Sequence, residues 1–476
     1  MFLNSRLTNR CLRFNNALKS TPPWPTYYIS LSFLPTLRGS LIDEVFLKEG
    51  APCYFRPRGI ESEVRHCSNL INLIGNLLPI FYQNHSGLSR RSSCFQDLLL
   101  SLILFLMAAT LQPLRVQADE GFSDTSFNYD FSPFIDWLEQ ASGEKSIPGV
   151  ALAIVSREGI IHLQSWGVRN VEGRDSINTD SIFRIASMSK TFAGTAAALL
   201  VNQNLQSWDA RISDLFPSMK IGTANSSSSI TLKHVVSHST GLMPHSYSNM
   251  LDDGVPYDKI KPKFDEIPTV CSPGECYGYQ NVVFSLIADV IEERTGGSYE
   301  KYIEEQIFKP LGMLTASVGM EPYINNPDAT SPHRMVRGSW RTTSTNPAYY
   351  SVAPASGINA SIFDMTMWLR ANLGAFPQVL GDNFLSEMHE PLISTDYGNY
   401  FNRWTGLEKA YYAIGWRVLD YRGIRAMHHG GGVRGYRSEM TFVPEANIGM
   451  VLLFNAESNF ANDVVPAFLD NLTNSL

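Results

Sequence analysis

The 476-residue chain has no block of lysine or arginine, and its formal net charge is -7. A surface that grips phosphate backbones needs such a cluster, so nucleic acid is excluded as a partner. There is no apolar stretch of the ~20 residues that a membrane-spanning helix requires. Cysteine is scarce: of six in all, Cys11, Cys53, Cys67 and Cys94 precede residue 95, leaving Cys271 and Cys276. No further Cys or His stands at short spacing from that pair, so no zinc site is built on it, and no metal or cofactor is expected. Internal repeats are missing, as are low-complexity linkers beyond residue 119, apart from the loop Asn225-Ser-Ser-Ser-Ser. What remains is 44% hydrophobic and only 17% charged, enough to bury a large core and unlike a disordered chain.

Leu98 to Leu111 is a fourteen-residue run without charge, preceded by Arg90-Arg91 and followed by Val116-Gln117-Ala118. That length suits the apolar region of a signal peptide, with the small-x-Ala sequence as its cleavage site. The expectation is export to the periplasm or medium. The alternative is an uncleaved membrane tether through 98–111, with the protein facing outward. Residues 1–95 mix Pro-rich, apolar and basic fragments without sustained periodicity, and translation is expected to start near residue 90 at a non-Met codon. The expected organisation is therefore a leader (1–95), a signal or anchor (96–118) and one domain (119–476). In an oxidising setting Cys271 and Cys276 close a small disulfide around Ser272-Pro-Gly-Glu275, two free thiols being the alternative.

Within that domain, Gly149 to Val155, a polar turn, and Ile160 to Trp166 read as a β-hairpin. Glu439 to Val443 and Gly449 to Asn455 read as a second one. Strands first and last with helices between predict an α/β (α+β) fold: a mixed, mainly antiparallel sheet flanked by helices, plus a helical lobe. Ala461 to Leu472 reads as an amphipathic segment that packs on the sheet, with Pro466 kinking it or restricting its start.

The chemistry is carried by Ser187-Met-Ser-Lys190, which opens the Ala-rich helical stretch Thr191 to Gln203. Residues at i and i+3 share a helix face. A serine there can pass its proton to a neutral lysine as it attacks a carbonyl, and the helix N-terminus favours the negative charge that develops. Ser142-Gly-Glu-Lys145 has the same spacing, but it reads as a loop before the first strand. Tyr279-Gln-Asn281 follows a Pro-Gly turn and precedes an expected helix from Val282 to Arg294. Its phenol can relay a proton, and its amide can orient Lys190 or hold a substrate amide. Tyr82, Tyr247, Tyr323, Tyr397 and Tyr400 also stand two residues before an Asn, but without that context. His429-Gly430-Gly431-Gly432 leads into the last hairpin, and consecutive glycines let a strand approach a ligand closely.

Taken in order, Ser187-x-x-Lys190, Tyr279-x-Asn281 and His429-x-Gly431 resemble the three motifs of the serine β-lactamase and penicillin-binding protein family, on the class C side. That side includes D,D-peptidases, D-aminopeptidases and carboxylesterases. Leu232 to Leu242 and Pro354 to Asp364 look like further signatures, and the resemblance spans roughly residues 130 to 475. It implies Ser187 as nucleophile, Lys190 as its base and Tyr279 as relay to the leaving group. Asn281, His429 and Gly431 would contact substrate, and the Ser187 and Gly432 amides would form an oxyanion hole. Where β-lactamases of this type carry Lys-Thr-Gly, this chain has His429-Gly-Gly, which replaces a permanent charge with a group charged part of the time near neutral pH. An esterase or D-peptidase acting on a small-molecule or peptide substrate is therefore expected over an efficient β-lactamase. The competing reading is a non-catalytic relative that binds cell-wall peptide.

His234 and His238 stand i, i+4 as a zinc pair would, without a third ligand in view, and a structural role is expected. Trp340, Tyr349 and Tyr350 are candidates to line a cleft, packing being the commoner use of such rings.

Overall fold

The structure, a computed structural model, describes residues 129–395 and 398–475. The leader at 1–95 and the signal or anchor at 96–118 lie outside the described residues. Among those described, no helix is long and apolar enough to cross a membrane.

The chain enters through α1 (Ser132–Glu144), whose Pro133 sits in the first turn, where a missing N–H costs nothing. Ser142, expected in a loop, lies in the last turn of this helix, because the Phe134 and Leu138 face packs and carries the helix on to Glu144. The Ser142 hydroxyl accepts from Trp166 Nε1 at 3.2 Å and donates to the Glu139 carbonyl at 3.0 Å.

Both expected hairpins are present and belong to one eight-stranded sheet. Its strands are β1 (Gly149–Val155), β2 (Ile160–Gly167), β8 (Ile393–Ser394), β9 (Leu407–Tyr412), β10 (Arg417–Tyr421), β11 (Ile424–Val433), β12 (Tyr436–Val443) and β13 (Ile448–Phe454). They run in the order β2-β1-β13-β12-β11-β10-β9-β8, every pairing antiparallel. The two hairpins join edge to edge, with Val150 opposite Phe454 and Val155 opposite Gly449. A smaller sheet has the order β3-β7-β4, formed by Phe183–Arg184, Ile358–Ala360 and Ser317–Val318, and a separate hairpin pairs β5 (His333–Val336) with β6 (Ser339–Thr342).

Strands β1 and β13 are buried at every position, since both sheet faces are covered. Alternate side chains serve opposite layers. Val150, Leu152 and Ile154 pack with Phe134, Leu138, Phe468 and Leu472 of the terminal helices. Ala151, Ala153 and Val155 pack instead with Phe192, Ala196, Trp368 and Leu369 of the central layer. That layer contains α2 (Ser189–Asn202) and α4 (Ile362–Asn372), with α3 (Leu286–Thr295) in the helical lobe. Small residues let α2 sit this deep: a Cβ on Gly194 would lie 2.6 Å from the Ile414 carbonyl oxygen.

Helix α5 (Ala461–Thr473) begins five residues before Pro466 and continues through it, so the proline does not set its start. Pro466 cannot donate to the carbonyl four residues back, that of Asn462. The Trp404 indole N–H, at 3.0 Å, takes that place. Helix α3 also differs from expectation, beginning at Leu286 and not near Val282. Residues 282–285 form tight turns with bonds such as Leu286 N–H to Val283 O at 3.1 Å, and Gly296 at φ 69° ends the helix as expected. Cys271 and Cys276 are joined in a disulfide.

Candidate active site

Strand β3 delivers the chain into a single 3-10 turn, Ala186–Met188, which leads into α2. Ala186 holds φ at 50°, a left-handed conformation that costs a residue with a Cβ free energy and persists only when its surroundings enforce it. Those surroundings are β11 and β12. Ser438 donates its hydroxyl to the Ile185 carbonyl at 2.8 Å, and Gly431 lies flat against the same turn. A Cβ on Gly431 would stand 2.3 Å from both the Ile185 oxygen and Ser438 Oγ, so only glycine lets the strand lie this close to the turn bearing Ser187. Ser187 is half-buried, while Lys190, one turn on, is fully buried.

The Lys190 amine lies 3.5 Å from Ser187 Oγ and donates to Asn281 Oδ1 at 2.8 Å and to the Ala355 carbonyl at 3.0 Å. Burial, reinforced by the charge of Arg417, holds it well below the ordinary lysine range. A neutral amine has two hydrogens and one lone pair. The two carbonyl acceptors take the hydrogens, and the lone pair is left for the serine hydroxyl. The segment Pro354 to Asp364 thus enters the site through one backbone oxygen. Because the neutral amine is the competent form, kcat/KM falls as pH drops through its lowered pKa. A pH–rate profile without an acid limb would contradict this assignment.

Tyr279 lies against the same amine, its ring centroid 4.6 Å from Lys190 Nζ. Burial raises its pKa, and the opposing effects of Arg417 and a hydrogen bond with Ser187 do not reverse the rise, so it is a phenol and not a phenolate near neutrality. His238 packs under this ring at 4.4 Å, and its Nδ1 accepts the Gln280 N–H at 3.3 Å. The i, i+4 histidine face is not formed. The helix Leu232–Val236 stops before His238, which has φ 56°, and His234 instead caps that helix, accepting the Thr231 N–H at 3.2 Å. Among the described residues no three His, Cys, Asp or Glu side chains converge as metal ligands.

His429 is fully buried in β11, its Nε2 3.1 Å from the Tyr412 hydroxyl and its Nδ1 2.8 Å from the Gly430 carbonyl. Burial, then the charges of Arg417 and Lys190, push its pKa well below the usual histidine value. The expected part-time cation is therefore a neutral ring. Gly432 is exposed one residue beyond Gly431.

The positive charge of the site comes from Arg417 on β10. Its guanidinium carbon stands 5.0 Å from the Tyr400 ring centroid and 5.8 Å from that of Tyr279. Its Nη1 is buried with no hydrogen-bond partner among the described residues. Sequence reasoning passed over this residue. The available signal was a charge alternating with the buried Leu419 and Tyr421 on one strand face. The three candidate cleft aromatics separate: Tyr349 borders a cavity with Gly432, Tyr350 packs on Arg184, and Trp340 donates to the Lys145 carbonyl on the β5–β6 hairpin side.

The family model described as Beta-lactamase matches residues 134–474. The chain is 22% identical over 359 residues to penicillin-binding protein 4 of Amycolatopsis lactamdurans, covering 72% of this chain and 91% of that protein. It is 26% identical over 317 residues to a D-aminopeptidase of Gluconobacter oxydans, covering 65% of this chain and 56% of the relative. It is 24% identical over 346 residues to an unguisins hydrolase of Aspergillus campestris, covering 69% of this chain and 62% of the relative. Against those last two, the chain spans only about three fifths of the relative's length. The octameric penicillin-binding protein homologue from Pyrococcus abyssi superposes with a TM-score of 0.64 at 22% identity, covering 72% of this chain and 78% of that one, a likeness of fold. With the model spanning nearly all of the described residues, the chain belongs to the Beta-lactamase family of serine hydrolases.

Proposed function

We propose that this protein is an exported serine acyl-hydrolase acting on esters or D-amino-acid peptides through an acyl-enzyme on Ser187. The observation that carries the reading is the buried Lys190 amine, which stands 3.5 Å from Ser187 Oγ and donates to Asn281 Oδ1 and the Ala355 carbonyl. Ser187 Oγ attacks the acyl carbonyl while its proton passes to Lys190 Nζ. The Ser187 and Gly432 N–H groups receive the developing oxyanion. Collapse expels the alcohol or amine, which takes a proton through the Tyr279 phenol. Water then attacks the acyl-enzyme, its proton leaving by the same groups as the acid departs and Ser187 is restored. The candidate signal run and the Cys271–Cys276 disulfide support an oxidising, exported setting.

A neutral His429 has no charge with which to hold a substrate carboxylate, whereas Arg417 has an unpartnered guanidinium nitrogen beside Tyr279. This favours a peptide whose leaving group ends in a carboxylate. Intact-mass analysis after exposure to a penicillin tests the acylation step, with an adduct expected on the parent protein and none on Ser187→Ala. An unaltered parent mass together with no ester or peptide turnover would support the non-catalytic reading. Arg417→Ala is expected to raise KM for an acyl-D-alanyl-D-alanine by about 10- to 100-fold, the value of a charge-assisted hydrogen bond. The same change should leave a neutral p-nitrophenyl ester much less affected; equal losses on both substrates would assign Arg417 a packing role.

A further inference from the structure

Past Gly432, strand β11 borders a cavity of about 500 Å³ whose wall contains Arg184, Arg334, Arg434 and Arg437. Two of these are matched. Arg334 pairs with Glu457 at 2.8 Å, and Arg437 with Glu439 at 3.2 Å. Asp252, also in the wall, accepts the Tyr349 hydroxyl at 2.7 Å. Arg184 and Arg434 have no ion pair among the described residues. Arg184 is 1% exposed, and its Nε, Nη1 and Nη2 meet no carboxylate among the described residues; its neighbour is the neutral Tyr350 side chain, whose ring centroid stands 4.1 Å from the guanidinium carbon. A guanidinium held out of water without an anion is strongly unfavourable, and an anion placed beside it relieves that cost. Arg434 extends from the exposed turn between β11 and β12. The wall therefore holds four guanidiniums and two carboxylates, Glu457 and Asp252, with Glu439 buried behind Arg437, which leaves the cavity cationic.

Gly432 belongs both to this wall and to the strand beside Ser187, and Arg434 follows two residues later, about 7 Å along an extended chain. We propose that the cavity is an anion subsite for the acyl half of the substrate, taking a carboxylate carried about four methylenes from the scissile carbonyl. The proposal rests on the acyl-enzyme reading above and specifies the acyl group it would accept. No new bond is involved: the carboxylate replaces the missing counter-ion of Arg184 and Arg434, while the carbonyl is attacked by Ser187 as before.

The test compares p-nitrophenyl hydrogen adipate with p-nitrophenyl hexanoate, which match in chain length and differ in the terminal carboxylate. The parent is expected to prefer the adipate ester by at least 10-fold in kcat/KM, and Arg434→Glu, an exposed change, is expected to abolish that preference. A parent that hydrolyses both esters equally through Ser187, or a preference that survives Arg434→Glu, would overturn the subsite while leaving the hydrolase reading in place. Calorimetric titration with adipate dianion alone keeps the question separate from turnover. Binding at least 10-fold weaker to Arg434→Glu than to the parent supports the subsite even if neither ester is hydrolysed. No binding to either folded protein overturns it.

Discussion

Ser187→Ala is expected to lower kcat/KM by about a million-fold, the scale seen when a serine hydrolase loses its nucleophile. Lys190→Met is expected to cost about 10²- to 10⁴-fold, the usual worth of general-base catalysis. The two side chains act as one unit: the serine is a poor nucleophile without a base, and the amine has no proton to accept without the serine. The double variant should therefore be little worse than Ser187→Ala alone. In Ser187→Ala the amine keeps its bonds to Asn281 and Ala355, so the melting temperature should stay within a degree or two of the parent. Lys190→Met leaves those two acceptors unpaired, at a cost of about 1–3 kcal/mol for each buried group. Steady-state kinetics on an ester beside thermal melts would check both. Residual activity of Ser187→Ala within 100-fold of the parent would remove Ser187 from the nucleophile's role.

Glu439→Gln is expected to have the largest effect on stability, about 3–5 kcal/mol, the usual result of breaking a fully buried ionic network. Glu439 has no exposed surface. It accepts from Tyr400 at 2.9 and 2.7 Å, from His428 Nε2 at 3.0 Å and from Arg437 at 3.2 Å. Burial alone would raise its pKa, but the hydrogen bonds and charge around it leave it lowered. His428 is held below its usual value by burial, so the carboxylate faces a neutral ring that donates one N–H. A carboxylate lowered on folding contributes stability that is complete above its unfolded pKa and is lost as pH falls through the folded one. The gap between parent and Glu439→Gln should therefore be widest near neutrality and should narrow in acid. The melting midpoint at pH 7 should drop by roughly 5–10 °C. Glu439 stands opposite Gly430 in the β11–β12 register, and a Cβ on Gly430 would meet Tyr400 and Glu439 oxygens, so loosening the network should also lower kcat. A variant as stable as the parent at every pH would show that the network is not ionic.

The three motifs were legible because each is local. Ser187 and Lys190 are one turn apart, Tyr279 and Asn281 flank one residue, and His429 to Gly432 occupy consecutive strand positions. The hairpins at 149–167 and 436–454 were legible for the same reason, as short continuous apolar runs and the turn residues between them act over a few positions. The start of α3 was misread because an apolar run such as Val282 to Phe284 looks alike whether it is buried in a helix or in turns. That the carbonyl freed by Pro466 finds a donor was not legible locally, because that donor, the Trp404 indole, lies 62 positions away in the chain.

Residue types, their short-range order and the special backbone freedom of Gly431 established which groups were available: a hydroxyl, an amine, a phenol and a glycine strand. Which of them carry charge was decided only by tertiary structure. Desolvation and charges from distant segments set a pKa, and so the packing that buries Lys190 and His429 holds both well below their ordinary values and leaves the standing positive charge to Arg417. The same packing buried Arg184 without a counter-ion beside Gly432. No local pattern reveals that, because the missing partner is defined by everything the fold brings near and everything it does not.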